Sequence, residues 1–133
     1  MCGISGIYNY SDKNISSKPV IEKILKLQSK RGPDDSGIFI DHSAQIAFAH
    51  QRLSILDLSS AGHQPMTSSS GRYVIVFNGE IYNYLELRLE LENLGNEFRT
   101  SGDTEVLAHA LKQWRRTGSL DMAKSWKRYF RIS

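Results

Sequence analysis

Cysteine and long apolar runs are both scarce in this chain of 133 residues. A single cysteine cannot form the disulfides of a small secreted fold, and no Cys/His spacing matches a metal site. The longest strongly apolar run, Tyr73 to Phe77, is too short to cross a bilayer. The N-terminus lacks the basic start and apolar stretch of a secretory signal. We therefore expect a cytoplasmic protein that does not enter a membrane.

Positive charge is concentrated in one late segment. The chain carries 17 basic and 14 acidic side chains. Residues 112–133 hold seven basic side chains against one acidic, so this segment has a net charge of +6 and residues 1–111 have −3. The first 111 residues therefore lack the overall basicity of a nucleic-acid-binding domain. The apolar share of 40% is sufficient for the core of one domain.

Hydrophobic periodicity and turn formers predict an α+β fold. We expect a first strand within residues 1–10 and a short strand before the last helix. The other predicted strands cover residues 37–40, 45–50 and 73–78. The predicted helices cover residues 19–30 and 83–94, and a third begins after Asp103.

The range 83–94 fits two interpretations. Its leucines alternate as they would in a half-buried strand. Its Leu, Glu and Arg content, the capping pattern of Asn83 and Glu86, and the stop at Gly95 favour a helix. We predict a helix.

Cys2 is a candidate nucleophile because of its position. Removal of Met1 would leave the thiol beside a free α-amine, whose pKa of about 7.7–8.0 suits a general base near neutral pH. Such a nucleophile needs no separate histidine. Position alone favours the alternative, a small buried cysteine at the start of a strand. Gly3 and Gly6 add some support to the nucleophile, because glycines let other backbone approach the thiol closely.

Three other positions are candidates for a reaction site. Asn78 and Gly79 end the most apolar predicted strand, where an amide side chain and a backbone N–H could hold an oxyanion, although Asn-Gly is also a common turn. Arg52 could bind a carboxylate through two parallel hydrogen bonds or form a surface ion pair. Asp103 could bind an ammonium group or cap the helix that follows it.

Together these positions meet four chemical needs: a nucleophile with its own base, an oxyanion site, a cation for a carboxylate and an anion for an amine. A free amino acid carries the carboxylate and the amine. If its side chain bears an amide, the substrate is glutamine or asparagine. His42, His63 and His109 lack the spacing of metal ligands, and we expect them to be structural or exposed.

Six motifs occur in an order that strongly resembles the N-terminal glutaminase domain of glutamine-hydrolysing asparagine synthetases. They are residues 1–4, 31–37, 49–57, 62–66, 78–83 and 101–105. That domain is a class II glutamine amidotransferase, a branch of the N-terminal-nucleophile (Ntn) hydrolases. The resemblance covers residues 1–114. It implies a four-layer αββα sandwich, here incomplete at the C-terminal side.

The resemblance implies a catalytic role for three residues. Cys2, after removal of Met1, would attack the amide carbon of glutamine and form a thioester. The Asn78 side chain and the Gly79 backbone N–H would hold the oxyanion. Ammonia would leave, and water would then release glutamate.

The resemblance also implies how the substrate would be bound. Arg52 would hold the α-carboxylate of glutamine, while Asp103 and Glu80 would lie around its α-amine. Backbone groups near Leu53 and Ile55 would position the substrate and the nucleophile.

Further partners implied by the resemblance lie outside this chain. In the family, ammonia passes to a synthetase domain that amidates aspartate through an adenylated intermediate, and ATP and Mg²⁺ act there. No phosphate-cradling motif occurs in this sequence, so we expect no cofactor in this chain. We expect no nucleic-acid or membrane partner, and the sequence leaves the oligomeric state open.

Residues 115–133 form a basic tail that departs from the family pattern. It could be a solvated helix, a basic arm for nucleic acid or membrane, or foreign sequence from a frameshift or truncation, which the abrupt change of pattern and charge favours. Strands that would complete the sandwich are missing, so we expect marginal stability and weak glutaminase activity for this chain alone. The alternative function is a non-catalytic remnant or interaction module.

The nucleophile hypothesis predicts that the mature chain begins at Cys2. Intact-mass measurement of the purified protein should give a mass lower than the full sequence by one methionine. Retention of Met1 would contradict the hypothesis, because the α-amine of Cys2 would then be locked in a peptide bond and could not act as a base.

Overall fold

The computed structural model describes residues 2–10, 17–54 and 59–116, which form a mixture of strands and helices. In chain order the elements are β1 (Gly3–Tyr8), α1 (Ser17–Leu27), β2 (Asp35–Asp41), β3 (Ile46–Arg52), β4 (Met66–Thr67), β5 (Val74–Ile75), α2 (Tyr84–Asn93) and α3 (Asp103–Arg116). Short 3₁₀ turns cover Ser29–Arg31 and Ser60–Gly62. The antiparallel sheets and separate helices confirm the predicted α+β class. Each helix among the described residues is too short or too polar to cross a bilayer.

Three strands form the larger sheet, in the order β1-β3-β2, and all pairs are antiparallel. Gly3 lies opposite Gln51, and Asp35 lies opposite Arg52. The start of β1, the start of β2 and the end of β3 therefore lie at the same end of the sheet. Cys2 directly precedes β1 and lies at this end of the sheet.

Helix α1 covers one face of this sheet. Ile21 is fully buried and packs against Ala47 and Ala49 of β3. The small alanine side chains let the helix approach the strand closely. Because side chains alternate along a strand, Phe48 and His50 lie on the opposite face.

A second core lies between α2, α3 and the chain that follows β5. Its buried members are Ile81, Leu87, Leu91, Val106, Leu107 and Ala110. Ile75 and Phe77 are partly buried against it. Strand β5 pairs with β4 as a short antiparallel ladder, in which Met66 lies opposite Ile75. This second core therefore fixes the segment that contains residues 78–80.

Helix α2 confirms the helical interpretation of the ambiguous leucine range. Leu87 and Leu91 are buried, whereas Leu85 and Leu89 are exposed, so the alternation along the sequence separates two faces of one helix. The capping prediction for Asn83 is wrong: Asn83 occupies the N-cap position, but its side chain makes no capping hydrogen bond. Gly95, with φ of +84°, follows the end of the helix as predicted.

The strand predicted over residues 73–78 is shorter than expected and comprises only Val74–Ile75. Beyond Ile75, the backbone forms hydrogen bonds with side chains and no longer with a neighbouring strand. The Phe77 N–H donates to Gln64 Oε1 at 2.7 Å, and the Phe77 carbonyl lies 3.2 Å from His50 Nε2. The apolar pattern therefore predicted burial correctly and strand length incorrectly.

The short strand predicted between α2 and α3 is absent from the described backbone over residues 94–102. The carboxylate of Glu105 accepts hydrogen bonds from the backbone N–H groups of Arg99 and Thr100, at 3.0 and 2.7 Å respectively. Glu105 is buried, so this carboxylate satisfies donors that a strand would have paired.

Substitution of Ile21 should destabilise the fold far more than substitution of its neighbour. Ile21→Ala removes a fully buried side chain from the contact between α1 and β3, and we expect a loss of about 2–5 kcal/mol in the free energy of unfolding. Val20→Ala, at a position 49% exposed, is the matched control and should change it by less than about 1 kcal/mol. Urea unfolding measures both, and equal losses would contradict the packing of α1 on the sheet.

Candidate active site

Cys2 lies at the end of the sheet where β1 begins and β3 ends. Its sulfur accepts a hydrogen bond from the Leu53 N–H at 3.3 Å and lies 3.6 Å from the Leu53 carbonyl oxygen. The side chain of Arg31 donates to the Cys2 carbonyl at 3.3 Å. Both the main chain and the thiol of this half-buried residue are therefore held by neighbouring elements.

The turn-rich loop before β2 also binds the end of β3. The Asp34 N–H donates to the Arg52 carbonyl at 3.1 Å, and the Ser54 N–H donates to Asp34 Oδ2 at 2.8 Å. Together with the contact from Arg31, these bonds make the loop a support for the chain around Cys2.

Arg52 is the last residue of β3, and its side chain is buried. Its Nη1 donates to the Ser59 carbonyl at 2.8 Å. The guanidinium lies so close to Gly62 that a Cβ at position 62 would collide with it. A side chain at position 62 would therefore displace the guanidinium from its place beside the Ser60–Gly62 turn.

An open cleft of about 640 Å³ lies beside Arg52. Asp34, Asp35, Ser59 and His63 contribute to its lining. His63 Nδ1 lies 2.7 Å from Asp35 Oδ2, so these two side chains form one wall as a pair. The cleft is large enough for a small polar molecule to reach the guanidinium.

Asn78, Gly79 and Glu80 are exposed and follow directly after Phe77. Gly79 packs on the Phe77 ring, where an added Cβ would lie 2.8 Å from the ring Cζ. The Phe77 carbonyl contacts His50, so the residue that precedes this segment lies at the face of β3 that also bears Arg52, two positions further along the strand.

Asp103 begins α3 and is buried beside the same segment. Its Oδ2 accepts a hydrogen bond from the Ile81 N–H at 3.0 Å. Burial raises the pKa of this carboxyl above its usual value, and the nearby charge of Glu80 adds to the rise, while backbone N–H donors oppose it. Two acidic side chains thus lie close together, an arrangement that favours a bound cation.

His50 is fully buried on the sheet face that bears Arg52. Burial lowers the pKa of its ring, and the hydrogen bond to Phe77 only partly opposes this. The ring is therefore neutral near pH 7. A carbonyl oxygen can only accept, so Nε2 carries the proton and donates to Phe77. Its Nδ1 has no hydrogen-bond partner among the residues that the structure describes.

The predicted site residues fall into two groups. Cys2, Arg52 and Leu53 meet at the end of β3. The second group, the exposed 78–80 segment with Asp103, is joined to β3 through Phe77 and His50. Ile55 lies outside the described residues. In the described ranges no three His, Cys, Asp or Glu side chains form a metal-binding cluster.

Four supporting residues were not singled out from the sequence: Arg31, His50, Gly62 and Gln64. All four occur inside the motifs that carry the family resemblance. The signal was therefore present, but it did not reveal which atoms each residue contacts.

This chain belongs to the glutamine amidotransferase domain family, whose model matches residues 1–125. It is similar to glutamine-hydrolysing asparagine synthetases. It is 39% identical to asparagine synthetase 3 of Bacillus subtilis over 116 residues, which is 86% of this chain and 18% of that protein. It is 39% identical to the Sandersonia aurantiaca synthetase, with 85% and 21% covered, and 37% identical to asparagine synthetase 1 of Arabidopsis thaliana, with 86% and 19% covered. The chain thus spans about a fifth of the length of these relatives.

The buried His50 should make the fold less stable in mild acid. Its folded pKa lies below the ordinary value of 6.5, so below about pH 6.5 the unfolded chain takes up a proton that the folded chain does not. The free energy of unfolding should therefore fall between pH 7 and pH 5, and His50→Gln should reduce that fall. Urea unfolding at both pH values measures this.

The matched control for this test is His42→Gln, at an exposed position. The raised pKa of Asp103 acts in the opposite direction, but it is common to all the proteins compared and cancels in the difference. An identical pH dependence in wild type and His50→Gln would contradict a neutral buried ring.

Proposed function

We propose that this chain hydrolyses the side-chain amide of glutamine to glutamate and ammonia, with Cys2 as the nucleophile. The observation that carries the proposal is the position of the Cys2 sulfur. It accepts a hydrogen bond from the N–H of Leu53, the residue that directly follows the buried Arg52. Membership of the glutamine amidotransferase domain family supports the same reaction class.

The first half of the reaction forms a thioester. With Met1 removed, the α-amine of Cys2 takes the thiol proton, and the sulfur attacks the amide carbon of glutamine. The amide oxygen becomes an oxyanion that accepts hydrogen bonds from the Asn78 side chain and the Gly79 N–H. The ammonium of Cys2 then returns its proton to the leaving nitrogen. The C–N bond breaks, and ammonia departs.

The second half regenerates the enzyme. The Cys2 amine takes a proton from water, whose oxygen attacks the thioester carbon, and the oxyanion again forms at the 78–79 pair. The C–S bond breaks, the sulfur recovers a proton, and glutamate leaves. One water is consumed, so the balance is glutamine plus water to glutamate plus ammonia.

Opposite charges on the enzyme bind the two ends of the substrate. Arg52 holds the α-carboxylate, since a guanidinium has five donors and can bond both the Ser59 carbonyl and a carboxylate. Asp103 and Glu80 hold the α-ammonium. A bound ammonium would favour the charged form of Asp103, opposing the effect of burial on its pKa. Backbone groups at Leu53 and Ile55 complete the pocket.

We propose that the released ammonia is used by a synthetase domain or chain outside these residues. Three relatives are named as asparagine synthetases, and each is about five times longer than the matched region. We propose that a synthetase domain uses ATP and Mg²⁺ to amidate aspartate with this ammonia. No cofactor, nucleic acid or membrane partner is assigned to the present residues, and we place the reaction in the cytoplasm.

We also propose that the two sheets are the inner layers of an αββα sandwich. Helix α1 packs on the outer face of the larger sheet, and α2 and α3 pack beside β5. The opposite face of the larger sheet carries Ile4 and Tyr8, which are 43% and 64% exposed and which further strands could cover. The boundary between residues 114 and 115 stays a prediction.

Loss of the Cys2 sulfur should abolish the reaction. The weak glutamate release expected of the purified chain should fall to the uncatalysed rate in Cys2→Ala, measured by chromatography. Since Cys2 is the only cysteine, a diazoketone analogue of glutamine should add to wild type once and to Cys2→Ala not at all, and glutamine should slow the addition. Glutamate release that survives in Cys2→Ala would contradict the proposal. Failure of both assays in wild type would favour a non-catalytic remnant.

Arg52→Lys should weaken substrate binding more than it slows the chemistry. Lysine keeps the charge but cannot form two parallel hydrogen bonds, so we expect KM to rise on the order of tenfold. The value of kcat should change by less than about threefold. Lys18→Arg, at an exposed position on α1, is the control for a basic substitution. An unchanged KM would exclude Arg52 from the carboxylate site.

A further inference from the structure

The three exposed residues Asn78, Gly79 and Glu80 lie between two anchored residues. Phe77, on one side, is outside any strand, and both of its backbone groups are bonded to side chains. Ile81, on the other side, is fully buried and its N–H donates to Asp103. A segment so short has little freedom once both of its ends are fixed.

Gln64 holds the first anchor and joins it to α3. Its Oε1 accepts from the Phe77 N–H at 2.7 Å, and its Nε2 donates to Thr104 Oγ1 at 3.2 Å. The amide orientation follows from these partners, because only the oxygen can accept from an N–H. Gln64 is 6% exposed, so water does not readily replace either bond.

The two anchors meet at the first turn of α3. The Thr104 hydroxyl accepts a hydrogen bond from the Gln64 side chain, and the carboxylate of its neighbour Asp103 accepts one from the Ile81 N–H. His50 adds a third bond, from β3 to the Phe77 carbonyl at 3.2 Å. The segment that bears the amide and N–H donors is thus tied to α3 at both ends and to β3 at one.

We infer that Gln64 and His50 are positioning residues that fix the 78–80 segment for oxyanion binding. The inference rests on the proposed function. Neither side chain needs to touch glutamine: each acts through Phe77 on the placement of the Asn78 amide and the Gly79 N–H. A misplaced donor weakens the transition state more than the ground state. Loss of either side chain should therefore lower kcat more than it changes KM.

The first test compares Gln64→Leu with Gln51→Leu in the full chain with Met1 removed. Gln51 is also buried and donates to a backbone carbonyl, that of Leu25, at 3.0 Å on the α1 side of the sheet. We expect Gln64→Leu to lower kcat by about 10- to 100-fold. Its KM should change by less than about threefold, and Gln51→Leu should change neither parameter. Equal effects in both variants, or a change in KM alone, would overturn the inference.

Alkylation of Cys2 by iodoacetamide separates positioning from damage to the fold. This reaction forms no oxyanion, so its rate should be the same in wild type and Gln64→Leu. A parallel loss of alkylation and kcat would show that the substitution disturbs Cys2 itself and would contradict the inference.

Conservative substitutions provide a rescue test. Thr104→Ser keeps the hydroxyl that receives Gln64 and should keep most of kcat, whereas Thr104→Val should lower it in the same direction as Gln64→Leu. His50→Gln retains a donor for the Phe77 carbonyl and should be more active than His50→Leu. If the members of each pair have equal kcat values, the hydrogen bonds do not position the segment.

Hydrogen exchange tests the anchoring without any need for activity. In Gln64→Leu, backbone amides of residues 77–81 should exchange faster, while peptides from β1 and α1 exchange as in wild type. Unchanged exchange over residues 77–81 would overturn the inference. If Gln64→Leu exchanges faster but wild type releases no Cys2-dependent glutamate, the anchoring is supported and only the proposed reaction is wrong.

Discussion

The contact between the Cys2 sulfur and the Leu53 N–H is the interaction on which the proposed site depends. It joins the beginning of the chain to the end of β3, more than fifty residues later. The antiparallel pairing of β1 with β3 brings these two points together, and the burial of Ile21 against the alanines of β3 supports that pairing. The Cys2 sulfur is therefore positioned by a sheet register, which a flexible terminus alone could not provide.

The second half of the site depends on side chains that act where the β-ladder stops. Phe77 has no strand partner, so Gln64 and His50 satisfy its backbone groups, and Asp103 satisfies the next buried N–H at Ile81. Buried polar groups of this kind must be bonded, and their geometry is strict. The positions of the exposed donor groups at residues 78 and 79 therefore depend on the buried hydrogen bonds that hold Phe77 and Ile81.

The sequence predicted the helices well because their apolar stripes, Gly95 and the Asp103 start are local signals. It also predicted the α+β class, and the roles assigned to the candidate site residues stay predictions. It overestimated the strand at residues 73–78, because Val, Ile and Phe report burial and not hydrogen-bond partners. It also predicted a strand before α3, where the Glu105 carboxylate instead accepts from the backbone N–H groups. Periodicity could not reveal that Gln64 and Glu105 would satisfy backbone donors from distant positions. Motif matching included Gln64, His50 and Gly62 but gave no contact for them.

The most direct test of the account is to trap the covalent intermediate. The chain, with Met1 removed, is mixed with glutamine, quenched in acid during turnover, digested and examined by mass spectrometry. The account predicts that the peptide beginning at Cys2 carries one glutamyl group, which hydroxylamine removes as expected for a thioester. Glutamate production with no adduct at any time, or with an adduct on another residue, would contradict Cys2 as the nucleophile.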